Sequence, residues 1–244
     1  MVAINATRGL RYAGWSAYVS AGLSIIGAIA LLLFYALEAP RSIATGSDSQ
    51  QFFGPLSDYA GLFQFLTMLP LASALHQLAP ARNQRPSRVA EILGITGLLT
   101  AALAQFLLVA HIISFAVNLP IVLVGMILIG VWLVVANHLG RASGALSRRL
   151  SLLGEFTGAM FAALGGLTLL FTLANAINPA AIANFGTFLL NNPVLVGAII
   201  VVFTPALLAY LIGVPIWLIG IGRRLFASDD VNFAGRDKQV SYGG

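Results

Sequence analysis

Residues 120–138 read PIVLVGMILIGVWLVVANH, a run without a charged side chain that opens on Pro120, a favoured first-turn residue of a helix. A helix rising 1.5 Å per residue needs about 20 apolar residues to cross roughly 30 Å of hydrocarbon. This stretch has that length, and five more match it, at about 15–37, 58–78, 89–117, 150–176 and 193–221. Ser57 stands as the candidate N-cap of the second and Asn192 of the sixth. The third is long enough to tilt or protrude. The expected fold is all-α: a polytopic transmembrane bundle of six spans over residues 1–224, then a polar, mobile cytoplasmic tail over 225–244.

Composition agrees. Of 244 residues, 59% are hydrophobic and only 9% charged, with a mean hydropathy of +0.91. Soluble domains carry about 25% charged residues, so water cannot be the solvent for most of this chain. With no cysteine there are no disulfides, thiolate metal sites or cysteine nucleophiles. The first apolar run exceeds the about 7–15 residues of a signal peptide core and no clean cleavage site follows, so it is expected to stay as a span.

Charge sets the expected threading. Arg8 and Arg11, then Arg82, Arg85 and Arg88, then Arg141, Arg148 and Arg149, and finally Arg223, Arg224, Arg236 and Lys238 fall on one side, making 12 of the 13 basic residues. Arg41 alone lies on the other, with Glu38, Asp48 and Asp58. By the positive-inside rule both termini are expected in the cytoplasm, in a cell's inner membrane. The arginines then serve as anchors at lipid headgroups, which removes the nucleic-acid reading of a basic chain. Residues 50–55 and 178–190 read as outer interfacial segments, the latter too short to span.

Helices in lipid associate through small residues. In span five Gly154, Gly158, Ala162, Gly165 and Gly166 form one smooth face, suited to packing within the bundle or to a homodimer seam. Span three offers Gly97, Ala101 and Ala104, and span one Ala17, Ser20, Ser24 and Gly27. Pro205 and Pro215 should kink span six.

Ionisable groups in a bilayer are costly and so are candidates for function. Glu155, the one acid well inside a span, lies two helical turns from Arg148 on the same face and reads as a buried pair or as a proton- or cation-coupling site. His111, Ser114 and Asn118 share a face of span three; with Gln64 and Asn175 they outline an outward polar vestibule or a set of interhelical hydrogen bonds, with Gln105 deeper and turned away from His111. His76 and His138 come to one depth as the only conceivable bis-His haem pair, against a plain interfacial role; no metal site or other cofactor is expected. The chain has no P-loop, no dinucleotide-binding glycine motif, no H-E-x-x-H and no nucleophile elbow.

Arg8-x-x-Arg11-x-x-Gly14, Gly144-x-Leu146-Ser147-Arg148-Arg149-Leu150-x-x-Leu153-Gly154 and Pro215-Ile216-Trp217-Leu218-x-x-x-Gly222 resemble the plan of bacterial six-helix integral membrane proteins of unknown function, over roughly residues 7–224. That resemblance implies a fold and no activity. The leading expectation is a non-enzymatic membrane protein that binds a partner, another membrane protein or a second copy, or stabilises a membrane assembly as an accessory subunit. Its rivals are a small permease for a lipophilic or small polar solute using Glu155, and a haem-bearing redox subunit.

Overall fold

The computed structural model describes residues 2–41, 52–78, 84–177 and 204–241, and every element it builds there is helical. Helix α1, Val2–Leu33, runs on through a π-helical turn, Phe34–Glu38, to Arg41. Then come α2 Phe53–Gln77, α3 Gln84–Val109, α4 Phe115–Ala142 and α5 Arg148–Ile177. Helix α6, Val214–Ser241, is entered through a second π-helical turn, Ala209–Gly213. Residues 193–203 of the expected sixth span, the segment 178–190 and Arg82 lie outside the described residues.

Among the described residues five stretches are long and apolar enough to cross a membrane: Gly9–Arg41, Gln84–Val109, Phe115–Ala142, Arg148–Ala174 and Thr204–Ala227. That is the mark of a multi-pass membrane protein. Helix α2 is the less apolar sixth, diluted by Asp58, Gln64, Pro70 and His76.

The packing is inverted relative to a water-soluble bundle. Along α1 the buried positions are mostly small, among them Ala13, Ala17, Ser20, Ala21, Ser24 and Ala28, while Val19, Ile25, Ile26, Ile29 and Leu32 face outward. Small side chains let backbones approach where lipid supplies no hydrophobic force between helices. Each helix from α1 to α5 packs along its sequence neighbours and α1 also packs on α6, whereas α5 and α6 meet sparingly over the described residues.

The connections bring one end of every helix together. The Phe226 ring of α6 stacks on Tyr18 and meets Trp15 edge-on, 5.9 and 5.6 Å between centroids. Arg224 Nε donates to the Ala145 carbonyl at 2.7 Å. His76, Glu91, Gly140 and Leu146 line one small pocket, so the α2–α3 and α4–α5 connections are adjacent. This arginine-rich end gathers Arg11, Arg85, Arg88, Arg141, Arg148, Arg149, Arg223 and Arg224.

Several expected boundaries move. Helix α2 starts at Phe53, before the expected 58, and Ser57 does not cap it: its hydroxyl donates to the Gly27 carbonyl at 3.3 Å. The capping acceptor is Glu38 at the end of α1, whose carboxylate takes the backbone N–H groups of Phe52, Phe53 and Gly54 at 2.6–3.2 Å. A carboxylate suits the orphan donors and positive dipole of a helix start.

Helix α3 ends at Val109 rather than reaching Val117. The Ile112 N–H bonds to the Leu107 carbonyl and the His111 N–H to the Leu108 carbonyl, both at 2.9 Å, with His111 left-handed at φ 56°. That is a Schellman stop, normally served by glycine. Helix α4 then begins at Phe115, five residues before Pro120. Past Leu225, where a loose tail was expected, α6 continues as helix to Ser241.

Both π-helical turns end two residues before a proline, Pro40 and Pro215. A proline ring clashes with the carbonyl four residues back. That carbonyl belongs to Ala36 in the first case and Leu211 in the second, the middle residue of each π turn. The wider turn carries that carbonyl aside, so the helix passes its proline without breaking.

Candidate functional site

The small-residue face of α5 is laid against α4 within the same chain. A Cβ on Gly158 would lie 2.6 Å from the Gly130 carbonyl oxygen, and one on Gly130 would lie 2.6 Å from the Ala162 backbone nitrogen. Gly165 faces Leu123 and Ile127 in the same way. Gly154 makes room for Asn137, whose amide group would sit 2.3–2.4 Å from a Cβ placed there. On α3, Gly94 receives the Trp132 ring and Gly97 the backbone around Gly125.

Asn137 is fully buried on α4. Its Nδ2 donates to the Leu133 carbonyl at 2.7 Å and its Oδ1 accepts from Trp217 Nε1 on α6 at 2.9 Å. Trp217 meets Trp132 edge-on, centroids 6.3 Å apart. These side chains tie α4 to α6 through the middle of the bundle.

On the side of this tie away from the arginine-rich end lies a cavity of about 570 Å³. All six helices contribute to it, from Leu31 on α1 to Trp217 on α6. Its wall is mainly apolar, with Phe65, Met68, Met126, Phe161 and Leu164, and its polar groups are Ser57, Gln64, Gln105, Thr168, Thr204 and Tyr210. The size lies within the roughly 300–1,000 Å³ of small-molecule sites, and apolar walls with a few placed polar groups are their usual chemistry. Tyr210 belongs to the π-helical turn, so the Pro215 distortion helps shape the wall.

A polar chain edges this cavity. Gln105 Nε2 donates to Asp58 at 3.2 Å, and Gln105 Oε1 accepts from Asn118 Nδ2 at 3.0 Å. Gln105, expected deeper than His111 and turned away from it, is the centre of this chain, because Asn118 belongs to α4 and faces it from across the turn. Gln64 lines the cavity, 3% exposed. His111 does not take part: held in the stop of α3, its side chain is exposed. Asn175 is helical in α5, and its side chain lies outside the described residues.

Glu155 belongs to a separate cluster. Its Oε1 is 3.2 Å from Arg141 Nη2 and 3.8 Å from His138 Nδ1. Arg148 is not its partner: seven residues of helix separate the two by about 10 Å, whereas Arg141 reaches across from the last turn of α4. The cavity wall on α5 begins at Phe161, so Glu155 is not part of it.

His76 has partners of its own, Ser87 Oγ at 2.9 Å from Nδ1 and Glu91 Oε2 at 3.8 Å from Nε2. Serine, imidazole and carboxylate are the types of an acyl-transfer triad. The space beside them is about 10 Å³, room for one water and no substrate. They work as a clasp between α2 and α3. With His138 turned to Glu155 and Arg141, the two histidines are engaged in different clusters, and no group of three or more His, Asp or Glu among the described residues is placed to hold a metal.

Comparison with known protein families, with curated proteins and with solved structures finds no match. The class is therefore read from the fold and the site: a multi-pass helical membrane protein with an apolar cavity inside the bundle.

Proposed function

We propose that this chain is a six-span protein of the cytoplasmic membrane, both termini in the cytoplasm, that takes up an amphiphilic small molecule in the cavity and acts as its permease or carrier. The threading rests on the segregation of arginines, which the positive-inside rule converts into sidedness. Helix α2 spans with the other five in this reading, because its polar side chains are turned to neighbours rather than lipid.

The observation that carries the proposal is the cavity of about 570 Å³, apolar in its wall and edged by Gln64 and Gln105. An apolar body fits the wall and a hydrogen-bonding end group suits the amides. Trp217 lines this space and its bond to Asn137 closes the way toward the arginine-rich end, so passage requires α6 to move, for which the π-helical turn is a natural hinge. The partner-binding alternative drew on the lack of a catalytic constellation and on smooth packing faces; the face of α5 is occupied by α4, and the cavity supports a carrier instead.

The test is binding of an environment-sensitive fluorescent long-chain alcohol to the protein in nanodiscs. Leu164→Trp, which fills the cavity, is expected to abolish saturable binding, and Gln64→Leu to weaken it about tenfold, the worth of one lost hydrogen bond to a buried group. Saturable binding untouched by Leu164→Trp in a folded protein would sink the proposal. Cysteines placed at 85 and 144 should react from the cytoplasmic side only.

A further inference from the structure

Besides the cavity, the sparse α5–α6 seam opens a second recess, on the outside of the bundle at the arginine-rich end. It has a volume of about 790 Å³ and is lined by Gly144, Ser147, Arg149, Leu150, Leu153, Ile216, Ile219, Gly220, Arg223 and Arg224. Its two ends differ in chemistry. Leu150 and Leu153 on α5 and Ile216 and Ile219 on α6 give it an apolar floor running along the helices. Its head holds three arginines with Ser147, and no carboxylate is among its described lining residues.

We infer that this groove is a binding site for one anionic phospholipid, with the phosphate at Arg149, Arg223 and Arg224 and an acyl chain laid along Leu150, Leu153, Ile216 and Ile219. The occupant follows from charge and direction together. A soluble phosphate would leave the apolar floor bare, and an apolar partner would set the guanidinium groups of Arg149 and Arg223 against hydrocarbon. A lipid with an anionic headgroup meets both, and basic pockets between helices on the cytoplasmic side are the recurrent form of such sites.

Local structure preforms the head. The Arg224 Nε bond to the Ala145 carbonyl holds that guanidinium over the α4–α5 turn, and Gly144, left-handed at φ 74°, sets the turn. Gly220 lets Leu150 close on α6, since a Cβ there would lie 2.5 Å from a Leu150 methyl.

The experiment titrates fluorescent phosphatidylglycerol, and phosphatidylcholine with the same chains, into the full-length protein in detergent. Wild type is expected to prefer phosphatidylglycerol by tenfold or more. The variant Arg149→Gln/Arg223→Gln/Arg224→Gln should lose that preference, while Arg11→Gln/Arg85→Gln/Arg88→Gln, an equal charge change at the same end, should keep it. Ile216→Trp, which fills the floor with no change in charge, should weaken phosphatidylglycerol at least fivefold while inorganic phosphate has no effect on any of them. Equal losses in both arginine triples, tight binding with Ile216 replaced by tryptophan, or competition by inorganic phosphate would each overturn the site. Thermal unfolding of each variant identifies those that fail to fold, and for these Leu153→Trp and Arg223→Gln alone supply the same readouts.

Discussion

The indole nitrogen of Trp217 is hydrogen-bonded at 2.9 Å to the side-chain oxygen of Asn137, 80 positions earlier, with both residues at most 1% exposed. In lipid the unfolded helices have no water to satisfy either group, yet measured interhelical bonds average only about 0.6 kcal/mol and reach about 1.7. This pair is oriented from both ends, by the Leu133 carbonyl and by the Trp132 ring, which places it toward the top of that range.

A double-mutant cycle isolates it. Asn137→Ala, Trp217→Phe and the double variant, followed by unfolding in mixed micelles, are expected to give a coupling energy of about 1–1.5 kcal/mol. Additive single effects would show that the bond contributes nothing to stability.

The glycines of α5 divide into two kinds. Gly158→Ala drives a methyl against the backbone of α4, at 2.6 Å from the Gly130 oxygen, and the two helices must part. The expected loss is about 1–3 kcal/mol, the range for overpacking. Gly166→Ala, two turns on, meets nothing within 4 Å and should instead stabilise by up to about 1 kcal/mol through helix propensity. Opposite signs for two identical substitutions on one helix, read as shifts in unfolding temperature, are the result that the α4–α5 seam requires.

His111 occupies the left-handed position that ends α3, with φ 56°. An L residue there costs about 1–2 kcal/mol relative to glycine. The side chain is exposed and takes no part in the cavity edge, so His111→Gly is expected to raise stability by about 1 kcal/mol with probe binding unchanged. A loss of binding would return His111 to the site.

These cases mark what a single chain of letters reveals here. Runs of apolar residues announce long helices because crossing hydrocarbon is a local, additive requirement. Small residues at three- and four-residue spacing in α5 likewise announce a close approach, without saying whether α4 or a second copy makes it. The end of α3 was hidden because Ile112, Ile113, Phe115 and Val117 continue the apolar run, and because the stop uses histidine where glycine is the usual signal. The cap on α2 was hidden because Glu38 reaches it across a connection from another helix. The tie between Asn137 and Trp217, and the place of Gln105 between Asp58 and Asn118, depend on which helix faces which. Periodicity within one segment carries no trace of that. The cavity itself is a property of six helices together, so no residue announces it.

Glu155 and Arg141 make the sharpest separation between architecture and function. Their charged atoms are 3.2 Å apart, with the carboxyl side chain 19% exposed and the guanidinium side chain 32%. Removing the arginine leaves the carboxylate between α4 and α5 with only His138, 3.8 Å away, whereas removing the carboxylate leaves an arginine whose long stem can carry its head to the aqueous boundary. Arg141→Met is therefore expected to cost about 2 kcal/mol, between the values for exposed and fully buried pairs, and Glu155→Gln less than about 1 kcal/mol. Adding Glu155→Gln to Arg141→Met should recover most of the loss. Because Phe161, the first cavity residue on α5, is about 9 Å further along the helix than Glu155, all three variants should bind the fluorescent alcohol as the parent does. A fall in affinity specific to Glu155→Gln, in protein that unfolds at the parent's temperature, would make Glu155 a coupling group of the site and the proposed division between clasp and cavity wrong.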